Sequence, residues 1–194
     1  MRLILASSSP RRSALLDQIG LQHTVQPANI DETRHPDEQA AAYVERVARE
    51  KVTAIDAPDD VVIAGDTAVV FEGHVLGKPA HPQEARSMLS RLQGERHEVF
   101  TGLAVGRGGQ VESLVDVTHV QMAPMTDDEI ARYIAGGEPM DKAGSYGLQS
   151  RGGVFVESIA GSAFTVVGLP LHLIPRLLRR VGADMELFER RDRL

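Results

Sequence analysis

Two stretches of the chain are apolar without interruption, "RLILA" at 2–6 and "VVIAG" at 61–65. Runs of this length predict buried strands. Between them the period becomes helical. Leu15, Leu16 and Ile19 line one face of a helix predicted over 10–20, which stops at Gly20. Val44, Val47, Ala48 and Ile55 line a longer one over 37–56, which runs out in "DAPDD". A strand is predicted near 22–27, leading into the polar segment "NIDETRHPDE". After 61–65, "TAVVFEGHVLGKP" predicts a strand, a turn at Glu72–Gly73 and a short return.

A helix over 82–93 stops at Gly94, and 97–106 with 110–123 form a hairpin around "GRGGQ". The helix over 126–135 opens on Thr126 with acids through its first turn and Glu129 in the capping-box position. The loop "GGEPMDKAGSYGLQSRGG" follows, then strands near 153–159 and 162–167 and a last helix from about Pro170. The tail "DMELFERRDRL" mixes both signs and reads as a solvated extension. These elements predict an α/β fold: an elongated mixed β-sheet with flanking helices, and two lobes around a central cleft. The division is a single domain over 1–181 and a polar C-terminal extension over 182–194. The loops "SSSPRR", "GDT" and "GKP" each follow a strand, where ligands of α/β sheets commonly sit.

Composition narrows the function. A net charge of −6, no tryptophan and 4% aromatic residues argue against a nucleic-acid binder, which needs a basic face or a stacking platform. The absence of cysteine excludes disulfides, thiolate metal sites and a thiol nucleophile. No run approaches a membrane span, and the five apolar residues near the start are too few for a secretion signal, so a cytoplasmic location is expected.

Several charges stand where stability alone would not put them. Ser9 and Pro10 mark a helix start, yet Arg11 and Arg12 fill the first turn, where the dipole disfavours cations by a few tenths of a kcal/mol each, roughly. Arg12 begins the stripe of Leu15, Leu16 and Ile19, and Lys51 extends that of Val44. A lysine in that row is accounted for by snorkelling or by a buried anion. Asp66 lies between apolar runs, where an acid needs a cation, donors or a turn. Lys78 in "GKP" is held extended by Pro79, and Glu32 and Asp31 are equal candidates in the polar loop "IDET". Arg12, Lys51 and Lys78 with a helix N-terminus suit a phosphate, and Asp66 with Glu32 suits a hard divalent ion. No phosphate loop of the GxxxxGK[ST] form and no HExxH zinc motif is present.

In "LASSSPRRSALL", "REKV" at 49–52, "GDT" at 65–67, "GKP" at 77–79, "DKAGSYGLQ" at 141–149 and "VVGLPL" at 166–171 the chain resembles the Maf family of nucleoside-triphosphate pyrophosphatases over about 2–180. The resemblance implies a fold similar to that of inosine-triphosphate pyrophosphatases. It implies cleavage between the α- and β-phosphates, a divalent cofactor (Mg²⁺ or Mn²⁺) and a homodimer. By motif position, Ser7 and Arg12 match phosphate-contacting residues. Glu32, Lys51, Asp66 and Lys78 match the catalytic set, with Asp66 as proton acceptor and Asp66 and Glu32 as metal ligands. Arg12, Thr67 and Gln149 match the positions that set base specificity, and "SPRR", "GDT" and "YGLQ" are similar to the subgroup acting on dTTP and UTP. Ser150 and Arg151 depart from the glycine-rich run usual after that glutamine. Two alternatives remain at this point: a pyrophosphatase for a different non-standard nucleotide, and a nucleotide-binding regulator linked to septum formation.

Overall fold

A computed structural model of the chain describes residues 1–189. Its strands are β1 (Leu3–Leu5), β2 (Thr24–Val25), β3 (Val61–Phe71), β4 (His74–Leu76), β5 (Arg96–Arg107), β6 (Gln110–Met122) and β7 (Val156–Ala160). Its helices are α1 (Pro10–Gln18), α2 (Ala40–Thr53), α3 (Pro82–Leu92), α4 (Asp127–Ala135), α5 (Ala163–Val167) and α6 (Ile174–Arg180), with short 3₁₀ turns between them. The sheet is mixed, in the order β2-β1-β3-β5-β6-β7 with β4 beside β3. Strand β1 runs parallel to both β2 and β3, whereas β3–β4 and β6–β7 are antiparallel. The expected α/β class and mixed sheet with flanking helices are present. Among the described residues, no helix is long and apolar enough to cross a membrane.

The chain divides into two compact units. The first holds residues 1–66, 101–116 and the chain from 168 onward; the second holds 67–100 and 117–167.

In the first unit, the two uninterrupted apolar runs pair directly, Leu3 with Val61 and Leu5 with Ile63. Helix α1 ends as its sequence requires: Gly20 takes φ +76°, the Leu21 amide donates to the Leu16 carbonyl at 3.0 Å and the Gly20 amide to the Asp17 carbonyl at 3.0 Å. This closes a Schellman turn with Leu16 and Leu21 both fully buried. One face of α2 joins Ile4, Ala6, Val62, Ala64 and Ala104 in a core that includes Ala48 and Val52. The helix starts later than predicted. Asp37 adopts φ +58°, and the Glu38 carboxylate accepts from the His35 amide at 3.0 Å and from Arg46, so 35–38 form a turn and the helix does not begin at 37. The tail expected to be solvated is tied down as far as it is described: Phe188 is buried and its carbonyl accepts from the Gln22 amide at 2.7 Å. The rest of that extension, 190–194, lies outside the described residues.

In the second unit, α3 and α4 pack Met88, Leu89, Leu92, Ile130 and Tyr133 against Val69, Phe71, Val99, Val120 and Met122. The capping box of α4 forms as read: Thr126 Oγ1 accepts from the Glu129 amide at 3.3 Å, and Glu129 Oε2 accepts from the Thr126 amide at 2.8 Å. The strand predicted at 162–167 is a helix, α5. Thr118 Oγ1 donates to the Ser162 carbonyl at 3.1 Å and accepts from its amide at 2.9 Å, so the chain turns away from β7 before "TVV" can extend the ladder. Tertiary hydrogen bonding overrides the β preference of those residues.

Candidate active site

"GDT" is not a loop. Asp66 is the sixth of eleven residues of β3, and the two apolar runs that flank it are one continuous strand. Helix α2 crosses that strand by way of β5. A Cβ on Gly102 would fall within 2.5 Å of the Val44 carbonyl carbon and 2.8 Å of the Glu45 amide nitrogen, so only glycine lets helix and strand approach this closely. The row that begins at Val44 therefore faces inward, and its last polar member, Lys51, is buried.

Lys51 Nζ lies 2.9 Å from Asp66 Oδ1 and 2.9 Å from Glu32 Oε2. The buried anion is thus the account of Lys51, not snorkelling. Glu32 reaches it from the polar segment between β2 and α2, which α2 straps in place. Tyr43 donates to the Glu32 carbonyl at 3.0 Å, Arg46 Nη2 to the Thr33 carbonyl at 3.1 Å, and Arg46 Nε to Glu38 at 2.7 Å. Asp31, equal to Glu32 in the sequence, instead accepts from the Thr33 amide at 2.9 Å and fixes the turn. Tyr43 and Arg46 are the residues that sequence reasoning missed; they lie off the buried row of Lys51, and their partners are in the polar segment before the helix.

Arg12 occupies the same unit. Its Nε donates to the Gly168 carbonyl at 2.8 Å and its Nη1 to Ser7 Oγ at 3.0 Å. Ser7 Oγ also accepts from the Ser9 amide at 3.2 Å, which leaves the hydroxyl proton to donate elsewhere. Ser9 is the N-cap residue of α1, but its side chain makes no capping hydrogen bond, and no acid stands in the first turn. Gly65 makes the approach possible: a Cβ there would lie 3.2 Å from the Gly168 oxygen and 3.4 Å from Arg12 Nε. Arg12 therefore passes the strand one residue before Asp66.

The charges perturb one another. Burial pushes the Asp66 carboxyl above its ordinary range, against the pull of Lys51 and Arg12. Burial draws the Arg12 guanidinium down, opposed by Asp66 and Glu32. Burial, with Asp66 and Glu32 nearby, pushes the Tyr43 phenol up to about 12.

Asp66 Oδ2 and Glu32 Oε1 each bond to no described residue, while the other oxygen of each carboxylate converges on a single cationic centre. Two carboxylates so placed fit a hard divalent ion whose remaining ligands are phosphate oxygens and water. Among the described residues no group of three or more His, Asp or Glu side chains is gathered for a metal.

Thr67, Lys78 and Gln149 belong to the second unit. Thr67 is half-buried in β3 directly after Asp66. Lys78 is exposed beyond β4, on a turn held by the Gly144 amide donating to the Gly77 carbonyl at 3.1 Å. Gln149 is exposed on the loop that precedes the 3₁₀ turn Arg151–Phe155.

The family described as Maf-like protein matches residues 2–181. A protein named dTTP/UTP pyrophosphatase from Anaeromyxobacter sp. is 54% identical over 186 residues, covering 93% of this chain and 90% of its own. One of the same name from Halalkalibacterium halodurans is 48% identical over 182 residues, covering 93% and 96%. Among solved structures, the Staphylococcus aureus Ham1 protein overlaps 63% of this chain and 72% of its own, at a TM-score of 0.42 and 15% identity.

Proposed function

The chain belongs to the Maf-like protein family, and from that premise we propose that it hydrolyses dTTP and UTP to the nucleoside monophosphate and pyrophosphate. Relatives at 54% and 48% identity carry that activity in their names. The observation that carries the reading is the Lys51–Asp66–Glu32 cluster, in which a buried lysine holds two carboxylates 2.9 Å away on either side.

The reaction adds one water to the α–β phosphoanhydride and breaks the bridging P–O bond. The triphosphate brings several negative charges, and a site for it needs donors and cations already in place. Arg12 presents a guanidinium fixed by Ser7 and Gly168 at the N-terminal end of α1, where the helix dipole favours an anion. Ser7 donates its spare proton to a phosphate oxygen. Lys51 keeps Asp66 oriented and offsets the charge of the leaving pyrophosphate; Lys78 is assigned to the catalytic set by its motif alone. Asp66 accepts a hydrogen bond from the attacking water and takes its proton as the new P–O bond forms. A carboxyl with a raised pKa is better suited to this than an ordinary surface acid. Mg²⁺ or Mn²⁺, held by Asp66 and Glu32, would supply charge neutralisation on the phosphate oxygens. Thr67 and Gln149 read the base, and the amide of Gln149 both donates to and accepts from a pyrimidine edge.

The test is kcat/KM for dTTP, UTP, CTP and GTP with the native enzyme and the Asp66→Asn variant. Preference for dTTP and UTP, with turnover lost but nucleotide still bound in Asp66→Asn, supports the reading. Equal rates across the panel, or near-full kcat in that variant, would overturn it.

A further inference from the structure

The loop carrying Gln149 is organised by a residue with no assigned role. Glu138 stands just beyond α4, after Gly137 at φ +77°, in the 3₁₀ turn Glu138–Asp141. Its Oε1 accepts from Tyr133 Oη at 2.8 Å, from Ser150 Oγ at 2.6 Å and from the Gly152 amide at 3.1 Å, and its Oε2 accepts from the Arg151 amide at 3.1 Å. Tyr133 Oη in turn accepts from the Gly147 amide at 3.3 Å. Both ends of the segment 147–152 are therefore bonded, directly or through one phenol, to a single carboxylate. The segment is closed as well as bonded. A Cβ on Gly152 would lie 2.8 Å from the Gly147 nitrogen, and one on Gly147 would lie 2.8 Å from Ser150 Oγ. Gln149 lies within this closed turn and is exposed, as are Ser150 and Arg151.

We propose that Glu138 is the positioning residue that sets base specificity, by clamping the segment 147–152 so that Gln149 presents its amide in one fixed orientation. The proposal rests on the reading above, in which Gln149 meets the base. An amide on a mobile loop can turn either end toward a base, and so accepts a donor–acceptor pattern and its inverse alike. An amide on a fixed loop leaves a group unpaired when the wrong base enters, and that loss is what discriminates. Glu138 supplies the fixity with charge-assisted hydrogen bonds, which are about twice as strong as neutral ones. Those bonds hold its carboxyl below the usual range although burial opposes them. Ser150, part of the departure from the usual glycine-rich run, finds its reason here: its hydroxyl donates to the clamp, whereas Arg151 contributes only its backbone amide.

The experiment compares kcat/KM for dTTP and for CTP in the native enzyme, Glu138→Ala, Glu138→Gln and Ser150→Ala, with thermal unfolding recorded for each. Glu138→Ala should lower the dTTP:CTP ratio at least about tenfold, chiefly through KM for dTTP, because the lost discrimination is a binding term. Glu138→Gln keeps the Oε1 acceptor but turns a donor toward the Arg151 amide, so its ratio should fall between the two. Ser150→Ala removes a single bond and should move the ratio in the same direction by a few-fold, roughly; it carries the test if Glu138→Ala does not fold. A ratio unchanged in the folded variants, with kcat reduced equally for both nucleotides, would overturn the proposal and leave Glu138 a structural residue. A native enzyme that does not prefer dTTP to CTP would instead overturn the reading on which the proposal stands.

Discussion

Lys51 and Asp66 meet at 2.9 Å in a place where neither side chain is more than 9% exposed. Burying such a pair is rarely a route to stability, because the desolvation of two ions offsets most of their attraction. Glu32, about half exposed, is the third member and the one that faces solvent. The arrangement is best understood as an acid kept dry and oriented for chemistry, with one oxygen on the lysine and the other bonded to none of the described residues.

Replacing Asp66 with asparagine should lower kcat by about 10²- to 10⁴-fold, the usual range for loss of a proton acceptor. The melting temperature should change little, since the amide carbonyl still accepts from Lys51 and burial already disfavours the charged acid. Activity needs the ionised form. The acid limb of the native kcat/KM profile should therefore lie above the ordinary aspartate value of about 3.9. An acid limb at or below that value would show that Asp66 is not the titrating group.

Arg12→Lys keeps the charge but not the fork. One ammonium cannot reproduce the paired contacts to Gly168 at 2.8 Å and Ser7 at 3.0 Å. The expected result is a KM for the triphosphate about tenfold higher, about 1.4 kcal/mol, with a smaller change in kcat. Steady-state kinetics at saturating metal would decide it, and an unchanged KM would remove Arg12 from phosphate binding.

His97, at the start of β5, titrates in the fold far from its usual value. It is buried, its Nε2 lies 2.8 Å from Tyr146 Oη, and its Nδ1 has no hydrogen-bond partner among the described residues. Burial lowers its pKa from 6.5 to about 4. The unfolded chain thus binds this proton between pH 6.5 and 4 while the folded one does not, so stability falls as pH drops through that window. Denaturant unfolding of His97→Phe at several pH values should give a flatter slope there than the native protein. Identical slopes would mean that His97 is not the linked group.

Gly102→Ala should destabilise by about 1–3 kcal/mol, because the new methyl meets helix backbone that cannot swing aside as a side chain would. It should also reduce kcat more than a remote change of equal stability cost, since Lys51 moves with α2. Chemical denaturation and kinetics on the same preparation separate the two effects.

How much of this was legible depends on whether a residue's partner is local. The capping box of α4, the stop at Gly20 and the Glu72–Gly73 turn are settled within a few residues, and each is found where its sequence puts it. Lys51 and Asp66 were visible as charges on apolar faces, yet nothing near either names the other, fifteen positions away. "GDT" looks like a turn because glycine and aspartate usually mark one. Here the glycine admits Arg12 and the Gly168 carbonyl, and the aspartate stays in the strand because a lysine from α2 meets it. Glu32 could not be told from Asp31, whose role as a turn acceptor appears only in three dimensions. The helix at 163–167 was hidden by its own β-branched residues and by dependence on Thr118, forty-four positions before Ser162.

The most direct measurement is the identity of the products when the native enzyme is incubated with dTTP and Mg²⁺ and the mixture is resolved by phosphorus NMR. The expected result is dTMP and pyrophosphate in equal amounts, from cleavage at the α–β bond. Recovery of dTDP and inorganic phosphate would contradict the account at its centre.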